Sequence, residues 1–178
     1  MVETMNTRVD LPEGDAESVY MILDGIPGEV TVKGFEESVA VRRFSYGVQL
    51  PLTMERTRGG ATRDKSIHSA IKIVKVADMS SVKLFQHCCE GTSIASVIFN
   101  FIRFSQGELV VSRTVELTDC FVGKFEHLGE TSVSADLPLE AIAFDFATIT
   151  DTYTQQLPDG SVGGNVEFGW DRLNGTAV

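Results

Sequence analysis

The stretch FDFATITDTYTQQLPDGSVGGNVEFGWD, residues 144–171, decides how this chain is read. Residues 143–153 are rich in β-branched and aromatic side chains and lack Gly and Pro, as a pleated and largely buried strand requires. Pro158-Asp159-Gly160 then supplies a fixed φ, a side chain able to bond nearby backbone, and a residue that tolerates positive φ. Gly163-Gly164 opens the return arm, where the missing side chains admit a second backbone or a bulge. The pattern predicts a β-hairpin and hence a mainly β protein.

Working outward, the 178 residues fit one domain, able to bury roughly 70% of the surface its unfolded chain exposes. With 43% hydrophobic and 22% charged residues the composition is that of a folded globule, and no apolar run approaches the ~20 residues of a membrane helix. Residues 1–17 are acidic and punctuated by Pro and Gly, which predicts a mobile arm without a signal peptide's basic cap and apolar stretch. Three cysteines, Cys88, Cys89 and Cys120, make a poor disulfide framework. They are expected as buried small apolar groups in a reducing cytosol, and His87-Cys88-Cys89 lacks the paired spacing of structural zinc.

The net charge of −10 is unevenly spread: −7 over residues 1–37, +6 over 42–83 and −9 over 84–178. Such blocks give one molecule unlike faces, favouring head-to-tail contact between copies, whereas the acidic flanks argue against nucleic acid.

Strands are expected over 18–26, 39–50, 66–76, 94–104 and 109–121. In the last of these Leu109, Val111, Val115, Leu117 and Phe121 alternate with polar residues and form the predicted core face. Residues 123–136 are expected to run outward into a polar loop. One helix is predicted over 78–91, with Val82, Phe85 and Cys89 recurring beside Leu84 and Cys88, Ser80 or Ser81 as cap and Gly91 as stop. Residues 51–65 have no periodicity and read as a long exposed loop carrying Arg56, Arg58, Arg63 and Lys65 around Gly59-Gly60, without the spacing of a phosphate-binding loop.

No nucleophile elbow, paired-His zinc helix, Walker loop, dinucleotide fingerprint or EF-hand loop occurs in the sequence. No catalytic, cofactor or metal residue is therefore assigned. His68 beside Ser66 and Ser69 suggests a triad only superficially, because adjacent strand residues point to opposite faces and no acid is placed near them. Turn bonding accounts for Asp159 and Asp171.

Several strings together resemble one family. They are Leu23-Asp24-Gly25-Ile26-Pro27-Gly28-Glu29 after the first strand, Phe44-Ser45-Tyr46-Gly47-Val48, the single helix running from serines to Gly91, Leu117-Thr118-Asp119, and Thr152-Tyr153-Thr154-Gln155 followed by Asp159-Gly160-Ser161, Gly163-Gly164 and Gly169-Trp170-Asp171. From residue 18 to 171 these resemble, in order, the haemolysin-coregulated protein (Hcp) family, which supplies the inner tube of type VI secretion. The resemblance implies a compact β-barrel of two antiparallel sheets with one lateral helix, as a single domain over 18–178. It implies homohexameric rings stacking into a hollow tube, with a spike protein at the tip, a contractile sheath outside and effectors in the lumen. It also implies a cytoplasmic protein that leaves through the secretion apparatus, and a structural protein in place of an enzyme.

The loop residues Met54, Arg56, Arg58, Gly59, Gly60 and Arg63 are then the expected ring-stacking contacts. The acidic start and Cys88-Cys89 depart from the family pattern, and with only residues 172–178 after the signature a fused toxin domain is not expected. The alternatives are a monomeric β-barrel that binds a small ligand or hydrolyses one, and a phage-type tail-tube protein.

Overall fold

A computed structural model describes residues 18–55, 60–63, 65–105, 108–129, 138–157 and 161–178. The expected arm at 1–17 and the turn at Pro158-Asp159-Gly160 lie outside them. The first half contains β1 (Ser18–Leu23), β2 (Val39–Ser45), β3 (Val48–Gln49), β4 (Leu52–Glu55), β5 (Gly60–Arg63), β6 (Ile67–His68) and β7 (Ile71–Val76). After α1 (Ser80–Glu90) come β8 (Ile94–Ser105), β9 (Glu108–Leu128), β10 (Leu139–Asp145), β11 (Thr148–Gln156), β12 (Val162–Asp171) and β13 (Thr176–Ala177).

Strands β10, β7, β2, β1, β8 and β9 pair in that order, and β9 pairs again with β10, so six antiparallel strands close into a barrel. Beyond it β11, β12 and β13 extend the sheet from β9. The expected mainly β barrel with one helix is what forms. Closure leaves the six strands no free edge, which removes a route to aggregation. Met21, Ile71, Ile73, Phe99, Leu117, Ile142 and Phe144 fill the interior, where Phe44 meets Phe99 edge-on with centroids 5.0 Å apart.

Strand β9 serves two purposes over its 21 residues. Its first part pairs with β8 and β11, while 121–128 pair with β10. At the changeover Asp119 takes φ 50°, a left-handed conformation uncommon for a side-chain-bearing residue. The kink resets the alternation: Val115 and Leu117 point inward, then Cys120 and Val122. Phe121, expected on the core face, therefore points outward and is 44% exposed, and Leu109 is exposed as well. Nor does the chain leave the sheet at Gly123, because pairing to β10 carries it to Leu128.

The predicted first hairpin arm proves to be two strands. Residues 139–145 belong to β10 inside the barrel, and the hairpin proper begins at Thr148, where Ala147 donates its amide to the Thr118 carbonyl at 3.0 Å. An unbroken β-rich run conceals this change of partner.

The helix ends as expected at Gly91, whose φ of 65° costs a glycine little. Its start and its buried face differ from expectation. Asp78 Oδ1 accepts the Ser80 amide at 3.0 Å and the Ser80 hydroxyl at 2.5 Å, so the acid outside the helix satisfies its first turn, while Ser80 and Ser81 lie inside the helix and are buried. Leu84 is the helix's fully buried apolar residue, with Val82 74% exposed. The buried face is thus centred on serines, and the pattern's apolar stripe looks outward. Cys89 is consequently exposed and Cys88 half-buried, contrary to the expectation of burial, which only Cys120 fulfils.

What fixes the helix is a buried polar cluster. Lys75 and Glu140, cross-strand partners in β7 and β10, are 0% and 1% exposed on the core parity of their strands. The Lys75 ammonium donates to Asp78 Oδ1 at 2.7 Å, Ser81 Oγ at 2.9 Å and the Val76 carbonyl at 3.1 Å, and lies 3.1 Å from Glu140 Oε2. Ser81 donates in turn to Glu140 at 2.7 Å. No buried side-chain polar atom among the described residues lacks a partner.

Removing one member leaves the others buried and uncompensated. Lys75→Met should cost about 3–5 kcal/mol in urea unfolding, and adding Glu140→Leu should recover much of it. A single variant as stable as the parent would show that water reaches the cluster. Burial, with the negative charge of Asp119 second, pushes the Cys120 thiol up to about 12 against an opposing backbone hydrogen bond from Val97. At pH 8 iodoacetamide should therefore modify Cys89 at least tenfold faster than Cys120, which should react only after denaturation, as peptide mass spectrometry will read.

Candidate self-association surface

Past the barrel the inward side of the sheet continues uncovered. In register across β9, β11 and β12, Leu117, Ile149 and Trp170 make one row, then Val115, Asp151 and Phe168, then Arg113, Tyr153 and Val166. The first row packs against the core, but Phe168 is 61% and Val166 73% exposed. Between them Arg113 grips Asp151 through two parallel bonds, Nε to Oδ1 at 2.8 Å and Nη2 to Oδ2 at 2.5 Å. At the far end Gly163-Gly164 stand opposite Gln155 as a bulge, and a Cβ on Gly163 would lie 3.1 Å from the Gln155 carbonyl oxygen. Both sequence readings of the glycine pair are met.

The outer edge of β12 pairs with β13 only at Trp170 and Asp171, so among the described residues 162–168 form an open edge. Apolar side chains beside an open edge invite another chain to pair there.

The second exposed element is the segment read as a loop. Leu52 pairs with Arg63, Met54 with Ala61 and Glu55 with Gly60, and β3 pairs with β6 nearer the barrel, so 48–68 is a hairpin built in two pieces. Strands of two to four residues are too short to register as alternation. Met54, Gly60 and Arg63 lie on this hairpin, whereas Arg56, Arg58 and Gly59 fall outside the described residues.

Where the hairpin joins the barrel, the structure brings together residues the sequence left apart. Tyr46 Oη and His68 Nδ1 are 2.5 Å apart, and Ser66, just before β6, places its Oγ 3.1 Å from His68 Nε2. The His68 ring lies 16° from parallel to Trp170, centroids 6.3 Å apart. A tyrosine occupies the place an acid would take in a triad. Burial, then the nearby Arg172 guanidinium, lowers the His68 pKa, and burial raises that of Tyr46 against the opposing charge of Arg172. Both groups are thus held neutral, as a structural lock.

His87 and His127 lie elsewhere, against the Thr92 carbonyl at 3.2 Å and Glu140 at 3.4 Å. Asp171 accepts the Leu173 and Asn174 amides at 2.8 and 2.9 Å, the turn bonding expected, and the Asn174 amide is the main cause of its lowered pKa. Among the described residues no cluster of three or more His, Cys, Asp or Glu could hold a metal, and no helix is long and apolar enough to cross a membrane.

A neutral folded imidazole makes stability depend on pH. The unfolded chain takes up a proton below about pH 6.5 while folded His68 resists it, so this contribution is complete above pH 6.5 and declines as pH falls through that range. The urea midpoint should drop between pH 7.5 and 5.5 by more in the parent than in His68→Gln. Equal drops would place the pH dependence elsewhere.

A family profile described as "Type VI secretion system effector, Hcp" matches residues 20–153. No curated protein sequence matches the chain significantly. Among solved structures, one described as a type six secretion system protein is 24% identical, with a TM-score of 0.86, covering 92% of this chain and 100% of its own. Hcp1 of Salmonella typhimurium is 19% identical with a TM-score of 0.72, covering 90% and 98%. The secreted protein Hcp3 of Pseudomonas aeruginosa is 20% identical with a TM-score of 0.60, covering 88% and 98%. At these identities the structural likenesses speak to fold, and the profile match over most of the chain speaks to family.

Proposed function

The chain belongs to the Hcp family of the type VI secretion system, and from that premise we propose that it is a structural subunit of the secretion tube. Copies associate head-to-tail into hexameric rings, and rings stack into a hollow tube. The tube carries effectors in its lumen, bears the spike protein at its tip, and is driven out of the cell by the contractile sheath. The protein itself is made in the cytoplasm and leaves with the tube.

The observation that carries this reading is the uncovered extension of the sheet, whose open β12 edge adjoins the exposed Val162, Val166 and Phe168. A heterologous contact there buries the edge in every subunit once the ring closes. Charge is compatible with it: Arg43 and Lys72 line a cleft on the outside of the barrel in which Lys124 is paired with Glu126 at 2.8 Å, and most acids lie in the flanking parts of the sequence. Association through surfaces calls for no reactive side chain.

Val166→Glu should abolish rings, giving the mass of a single chain by light scattering with an unchanged circular dichroism spectrum. Deleting residues 54–63 should leave rings intact by negative-stain microscopy while stacks become rare. A native protein that stays monomeric at millimolar concentration and low salt would overturn the assembly reading. A deletion variant that forms no rings would overturn the stacking role of the hairpin.

A further inference from the structure

We propose that the cleft between the β3–β6 base of the hairpin and the β11–β12 extension is a binding site for a small planar aromatic carboxylate. This goes beyond the assembly reading but shares Phe168 with it, so the monomeric Val166→Glu chain is the form in which the cleft is open and in which the proposal is decided. The cleft has a volume of about 640 Å³, within the usual range for small-molecule sites and large enough for a ligand of two fused rings.

Its walls select a flat apolar ligand. Tyr46, Val48 and Leu50 line one side, and Ile149, Phe168 and Trp170 the other. The rings of His68, Trp170 and Phe168 are nearly parallel in sequence, 16° and 26° apart with centroids 6.3 Å apart at each step. Both His68 nitrogens are occupied, by Tyr46 and by Ser66, so this residue offers the ligand a ring face in place of a proton. Phe168 and Val48 are 61% and 57% exposed, which leaves apolar area for a ligand to cover.

The rim selects an anion. Lys65 stands at the mouth, exposed and without a charged partner among the described residues. Arg172 lies over the Phe146 ring at 4.5 Å and donates to the Phe146 carbonyl at 2.9 Å, with Asp145 3.7 Å away. Its positive charge still reaches the cleft, where it helps to lower the His68 pKa. Asp151, the acid in the lining, is paired with Arg113, although its charge still reaches Tyr46, so the anion preference rests on Lys65. A carboxylate at the mouth meets the Lys65 ammonium while its ring system lies against His68 and Trp170.

The test uses 2-naphthoate and its neutral isostere 2-naphthamide, titrated by calorimetry into the native protein and into Val166→Glu, whose substitution lies outside the cleft. Trp170 is the single tryptophan, so its one indole N–H resonance in the Val166→Glu protein reports the location. Naphthoate should bind once per chain with a dissociation constant below about 1 mM, as ~13 non-hydrogen atoms permit, and should shift the Trp170 signal. The amide should bind about two- to fivefold more weakly, and Lys65→Gln should remove most of that difference, the worth of an exposed ion pair. Phe168→Ala should weaken acid and amide alike. Equal affinity for acid and amide, an unmoved Trp170 resonance, or no binding below 1 mM would each overturn the proposal. Failure of Val166→Glu to disrupt rings would count against the assembly reading alone.

Discussion

One ammonium shared between two carboxylates, out of water, is the constraint on which the rest of this fold depends. Lys75 comes from β7, Glu140 from β10 and Asp78 from the turn before α1, so one cluster spans the junction of two barrel strands and the helix. Ions in such a place are costly unless every lone pair and proton is matched, and here Ser81 and the Val76 carbonyl complete the set. The energetic consequence is directional. Apolar packing tolerates small rotations of a helix, but a cluster with fixed donors and acceptors admits one orientation. That orientation is why the helix presents serines inward and leaves Val82 and Phe85 outside.

Strand β9 solves a separate problem with a single backbone irregularity. A strand that kept strict alternation through residue 119 would turn Phe121 inward and Cys120 and Val122 outward. Positive φ at Asp119 exchanges the two faces where β9 passes from β11 to β10. The barrel thus closes without a second long strand, and the same strand supports the β11–β12 extension that carries the exposed apolar face.

Much of this could be read from the residues, and what could not has common causes. The long strands on either side of the helix, the helix itself, its stop at Gly91 and the glycine bulge of the last hairpin are local, encoded by turn chemistry and periodicity. The misplaced features are not local. Alternation puts Phe121 on the core face only until one dihedral interrupts it, and the split of 143–153 depends on which neighbour each half pairs with. Lys75 and Glu140 do carry a signal, since each continues the core parity of its strand, Ile71-Ile73-Lys75 and Glu140-Ile142-Phe144, but only pairing shows that the two charges face each other. For the site, residues 51–65 stand out as an aperiodic basic segment without any sign of pairing, whereas the Tyr46–His68–Trp170 grouping draws on three distant strings and has no sequence signature.

Strand β7 ties these parts into one polarity. Lys75 sits near its end, in the cluster that holds the helix, while His68 lies just before its start, in the lock at the base of the hairpin. The two are seven residues apart in sequence, and strand geometry alone sets Lys75 ~13 Å from Ile71 at the start of β7. One end of the barrel is therefore finished by buried charges and a helix, and the other opens into a projecting hairpin, an aromatic cleft and an uncovered sheet. The two ends thus differ in what they offer a neighbour: the helix end has its charges matched internally, whereas the other end leaves Val162, Val166 and Phe168 exposed beside an open strand edge, where burial of apolar surface has most to gain.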